Sequence, residues 1–170
     1  MAKAYTITSD PFFVNGNLTM SAPDTYTQTE ISLPLDSLNR EGVLVHAVYF
    51  SGDQPESIAG AQSLVTAQLT ATSKTDIVGA NDANLIARRE TQITGGAAEF
   101  SGPHVIDLVG DNAPYQMTDN LMIIATDNVF FALNSFGQVA VKSGQFRMVC
   151  SRIKLSADAY AALVTNELSS

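Results

Sequence analysis

Between Leu121 and Leu155 the chain carries four short apolar runs: LMIIA, VFFALNS, QVAVK and FRMVCSRIKL. They are divided by Thr126-Asp127-Asn128, Phe136-Gly137 and Ser143-Gly144. Runs this short, bounded by Gly, Asn and Asp and lacking helical spacing, predict β-strands of a sandwich or barrel. The same stretch holds no recognisable catalytic constellation. It dictates an architecture rather than a chemistry.

The rest of the chain follows the same pattern. Short strands are expected at 5–8 and 18–20, around the turn signals Asp10-Pro11 and Asn15-Gly16. Residues 25–33 (TYTQTEISL) put Thr25, Thr27, Thr29, Ile31 and Leu33 on one face, which reads as a half-solvated strand near an edge. Residues 43–51 (VLVHAVYFS) are apolar on both faces and fit the middle of a sandwich. In 63–72, Val65, Ala67, Leu69 and Ala71 oppose Thr66, Gln68, Thr70 and Thr72. NLIARRET at 84–91 fits a strand or a short helix, and His104–Val109 fits a strand. Ser156 can cap a helix, with Asp158 in its first turn and Tyr160, Leu163, Val164 and Leu168 at helical spacing.

About eight strands joined by long connections suggest a Greek-key arrangement, which a jelly roll of this length accommodates. An immunoglobulin-like sandwich fits less well, because its usual core needs Trp and two Cys; there is no Trp and one Cys. The expectation is therefore all-β: a single jelly-roll-like sandwich of about eight strands with a short C-terminal helix. The 170 residues form one domain in this reading. Residues 1–20 are an extended N-terminal arm and 156–168 the terminal helix.

Composition narrows the function classes. A net charge of −8 argues against a dedicated nucleic-acid binder, because neutralising phosphates takes clustered Lys and Arg. The first 39 residues hold one basic residue, Lys3. Charged residues make up 15% of the chain, and Thr, Ser, Asn and Gln stand in for them. That suits either a Thr-rich monomer or a chain that buries its sides against neighbours. No secretory signal and no transmembrane run are expected, so synthesis in the cytoplasm follows. Cys150 has no intramolecular partner and reads as a buried structural thiol beside Met148 and Val149.

Few groups offer chemistry. His46 and His104 are the only histidines, without a metal-ligand spacing. His46 within VLVHAVYF reads as a satisfied core or interface residue. No G-x-S-x-G, phosphate loop or dinucleotide fingerprint occurs, so neither an enzymatic site nor a small-molecule substrate is expected. Residues 110–120 (GDNAPYQMTDN) and Asp127-Asn128 could coordinate Ca²⁺, although such residues more often build turns. From Asn128 to Ala157 there is no Asp or Glu, while Lys142, Arg147, Arg152 and Lys154 are present. Together with Arg88 and Arg89, these are candidate contacts to another subunit or to an inner surface.

The central AQLTATSKTDIVGANDANLIARRET and the closing FRMVCSRIKLSADAYAALV resemble, in pattern, single jelly-roll coat proteins of non-tailed viruses. The central segment reads as a strand, a polar loop and an amphipathic stretch. The closing segment reads as a last strand followed by a small helix. The resemblance spans residues 43–168 and implies a virion shell subunit whose main partner is itself. Many such proteins carry a basic arm for the genome, and this chain departs from them there. A second coat protein, a genome-binding protein or an internal membrane would then complete the shell. A lectin-like or adhesin-type binding module is the alternative reading.

Overall fold

The computed structural model describes residues 4–96, 104–109 and 120–168. Among these residues ten strands and one α-helix follow in order, with a single 3-10 turn at Ser37–Asn39: β1 (Tyr5–Ile7), β2 (Phe12–Thr19), β3 (Thr27–Ser32), β4 (Glu41–Gly52), β5 (Gln62–Thr70), β6 (Leu85–Thr94), β7 (His104–Val109), β8 (Met122–Ile124), β9 (Asn128–Phe136), β10 (Ser143–Leu155) and α1 (Ala157–Leu168).

Two antiparallel sheets of five strands form a sandwich. In the first, β10 is flanked by β4, which pairs on to β8; β1 and β2 pair with β10 as well. The second runs β3-β9-β5-β6-β7. Strands alternate between the sheets as the chain proceeds from β2 to β5, and again from β8 to β10. This interleaving is the double Greek key of a jelly roll, as the sequence pattern anticipates. β3 pairs with β9 alone and is an edge, while β4 lies between β10 and β8.

The core lies where the inward faces meet. Phe131 is fully buried, with its ring 6.3 Å from Phe50 and 5.0 Å from Phe146. Val43, Val45, Val48, Leu69, Leu133 and Met148 complete the same cluster. Cys150 is buried among them, and burial pushes its thiol up to about 12, so the nucleophilic thiolate is suppressed. A second, smaller cluster sits on the opposite face of the first sheet. There Tyr160, Leu163 and Val164 of α1 pack on Leu44, Ile153 and Leu155. Ser156 caps the helix through its hydroxyl, which accepts the Ala159 N–H at 3.3 Å. The side chain of Leu168 lies outside the described part of the chain.

Several expectations change. Within residues 5–19, β1 and β2 both pair with β10, and β2 begins at Phe12 rather than near Leu18. Asn15-Gly16 is no turn: β2 runs through it, and a Cβ at Gly16 would stand 2.5 Å from Phe146 and 2.6 Å from Ile31. The glycine is there so that two core side chains can approach the backbone. NLIARRET is a strand, β6. QVAVK is not a strand, because carboxylates rather than a neighbouring strand take its N–H groups. Thr66, Gln68 and Thr70 face away from the core yet are buried. The connection after β5 folds back over them, and the Gln68 side chain holds it by donating to the Asp76 carbonyl and accepting the Val78 N–H.

Candidate functional site

α1 covers only part of the outer face of the first sheet. Beyond it, the register of β2, β10 and β4 lays out three rows across the sheet: Phe13–Val149–Ala47, Asn15–Arg147–Tyr49 and Asn17–Gln145–Ser51. Residues two apart along a strand share a face, so all nine point to the same side. Most of them line an open depression of about 700 Å³. Phe13 and Tyr49 remain 61% and 60% exposed at its walls.

The polar side chains of this face are held in place. Arg147 donates from Nε to Asn15 Oδ1 at 3.1 Å, and its guanidinium lies 5.2 Å from the centre of the Phe13 ring. Gln145 donates to Ser51 Oγ at 2.9 Å. No carboxylate pairs with Arg147 among the described residues. Arg147 is thus a positioned, exposed cation beside an aromatic ring.

His46 marks the boundary between the bare and the covered areas. A bulge between Val149 and Cys150 leaves it opposite no residue of β10. Its ring nitrogens meet Asn120 Oδ1 and Ser151 Oγ, each at 2.9 Å. It is the satisfied residue that its apolar surroundings predict.

A second feature lies at the end of the sandwich, in residues 137–142 between β9 and β10. Gly137 turns the chain with a φ of +69°. Asp24, itself at φ +52°, accepts the N–H groups of Gly137 at 3.0 Å and Gln138 at 3.1 Å. Glu56 accepts those of Val139 at 2.9 Å and Ala140 at 3.0 Å, and Asp53 accepts that of Ser143 at 2.8 Å. Two loops of the chain thereby fix one segment through carboxylates. The clamped segment displays Phe136, 62% exposed, and Val139, 78% exposed, with Val141 beside them.

The basic residues singled out in the sequence are strung along β10 and do not form one cluster. Lys142 is buried and pairs with Glu56 at 3.0 Å. Arg152 stands 5.9 Å from the Phe12 ring centre, and Lys154 is exposed at the far end of the strand. On β6, Arg88 pairs with Glu90 at 2.7 Å. Arg89 reaches across the sandwich to the Phe50 carbonyl at 3.0 Å. Of the six, Arg147 is the one set among exposed aromatic rings. Asp24, Asp53, Glu56, Phe13 and Tyr49 were not singled out by sequence reasoning. The loops that bring the carboxylates together are far apart in the chain, and no spacing rule connects them. Of the Ca²⁺ candidates, residues 110–119 lie outside the described part, and Asn128 donates its side-chain amide to Glu30 at 2.8 Å.

No protein-family model and no curated protein matches the chain. Several solved structures of viral proteins are similar to the chain. One is VP1 of Merkel cell polyomavirus, solved as an unassembled pentamer, at 6% identity over 88% of this chain and 98% of that one, TM-score 0.44. VP1 of trichodysplasia spinulosa-associated polyomavirus is 4% identical over 88% and 98%, TM-score 0.42. A chain of the empty head of turnip yellow mosaic virus is 11% identical over 90% and 87%, TM-score 0.28. The functional reading rests on the chain's own surface.

The clamp gives one prediction about pH. The Val139 N–H, then the Lys142 ammonium, then the Ala140 N–H hold the Glu56 carboxyl below its ordinary 4.5. A carboxyl lowered on folding adds stability that is complete above its unfolded value and lost as pH falls through its folded one. The NMR amide shifts of Val139 and Ala140 should therefore titrate together with a midpoint below 4.5. In Glu56→Gln that titration disappears. Amide shifts whose midpoint lies at 4.5 or above would mean that the clamp does not form in solution.

Proposed function

We propose that this chain is a structural, self-assembling subunit, a viral coat protein that tiles a virion shell through contacts between the sides and ends of its sandwiches. One observation carries the reading: of seven exposed large apolar side chains among the described residues, five gather at two preorganised places, Phe13 and Tyr49 on the bare face of the first sheet and Phe136, Val139 and Val141 at the clamped segment, while Ile7 and Leu38 lie elsewhere. Soluble monomers seldom leave such patches uncovered. The low charge content agrees, since uncharged polar groups lose water at lower cost than ions when surfaces meet. The genome would be held by a separate protein or lie within an internal membrane.

The test is the mass of the purified chain by light scattering, followed by negative-stain microscopy. Rings, tubes or closed particles are expected. An 18.1 kDa species at every concentration, salt and calcium level would sink the assembly reading.

The depression supports a second reading, a carbohydrate-binding module. Exposed aromatic rings beside Asn, Gln and Arg are the groups that stack on and hydrogen-bond a sugar. Retention of the monomeric chain on a glycan array would favour it.

A further inference from the structure

We propose that the contact between neighbouring copies is head-to-tail: segment 137–142 of one copy, with Phe136, enters the depression of Phe13, Tyr49 and Arg147 on the next. This rests on the assembly reading and names the surfaces that meet.

Three observations converge on another copy of the chain as the occupant. The first is shared apolar character. Phe136, Val139 and Val141 stand exposed at a loop, while Phe13 and Tyr49 wall an open depression of about 700 Å³. The second is charge. Arg147 has no carboxylate partner among the described residues, while the apolar segment is bordered by the carboxylates of Asp24, Asp53 and Glu56. Lys142 neutralises Glu56, so a copy arriving loop-first would bring the carboxylates of Asp24 and Asp53 towards Arg147. The third is rigidity. Five backbone N–H groups between Gly137 and Ser143 are bound by those carboxylates, so the loop loses little freedom on docking.

The two surfaces differ and lie on one chain, one on a broad face and the other at an end. A contact between them is heterologous, and such contacts build closed rings or open helical filaments. A two-fold contact would instead bury the same patch on both copies.

Val139→Glu spoils the loop and Tyr49→Glu spoils the depression. Both side chains are exposed, so neither change disturbs the core. Leu38→Glu is the control, because Leu38 is 94% exposed and belongs to neither surface. Light scattering with sedimentation should find each of the two variants monomeric where the unaltered chain and Leu38→Glu assemble. Mixed in equal amounts, the two variants should form dimers and nothing larger, since the pair retains one intact loop and one intact depression. Assembly that survives in both variants would overturn this contact and leave the assembly reading standing. Variants that lose assembly but stay monomeric when mixed would also overturn it. An unaltered chain that never assembles, or that instead binds an acidic saccharide through Arg147, would remove both proposals.

Discussion

Phe131→Ala should lower the stability of the fold by about 3–5 kcal/mol in urea unfolding, the range for truncating a buried phenylalanine. The ring has no solvent contact and sits between Phe50 of the first sheet and Phe146 on β10. Its removal takes away apolar surface and leaves a hole bordered by two other rings. Those rings are fixed to the two central strands of the first sheet, β4 and β10, which limits how far they can close in. Phe131→Leu keeps more of the volume and should cost clearly less. A loss below about 1 kcal/mol for the alanine variant would mean that the two sheets do not pack face to face through this ring.

Glu167→Ala should be the second large effect, about 2–4 kcal/mol, because hydrogen bonds to charged groups contribute roughly 1.5–3 each and buried donors left alone are costly. Glu167 is buried near the end of α1, and its carboxylate accepts the N–H groups of Ala125 at 3.0 Å and Thr126 at 2.9 Å. No other partner for these two donors occurs among the described residues. The carboxylate is thus the rivet between α1 and the turn linking β8 to β9. Without it the helix should detach more readily and expose Leu44, Ile153 and Leu155. Limited proteolysis reads this directly: faster cleavage within 157–168 in the variant, with the sandwich intact. Glu167→Gln retains one acceptor oxygen and should fall between the two. Equal resistance of all three proteins would mean that the apolar contacts alone hold the helix.

The fold was legible where side-chain periodicity reports burial. Residues 43–51 are apolar on both faces because one face meets the core and the other lies partly under α1. The Thr-rich residues 25–33 alternate because Ile31 and Leu33 face the core while Glu30 and Ser32 face outward. Periodicity failed where a polar side chain replaced a strand partner. QVAVK has the composition of a strand, and only its distant partners Asp24 and Glu56 make it a loop. Thr66, Gln68 and Thr70 alternate as solvated residues do, yet a long connection covers them. The site was the least legible part. Phe13, Arg147 and Tyr49 belong to three strands, and the register that aligns them is set by pairings between segments far apart in the sequence.

That register has a consequence for how the molecule is made. β10 is the penultimate element, yet it is the strand on which β1, β2 and β4 all pair. Until it docks, β4 has one unsatisfied flank and β1 and β2 have no sheet to join. Contacts that span so much sequence form slowly, because a large loop must close before any bond is gained. During that interval the open flank of β4 offers the same unpaired N–H and C=O groups to β10 of its own chain and to that of another copy. Crowding therefore sets a race between folding within the chain and exchange between chains, and the molecule's own concentration decides the winner.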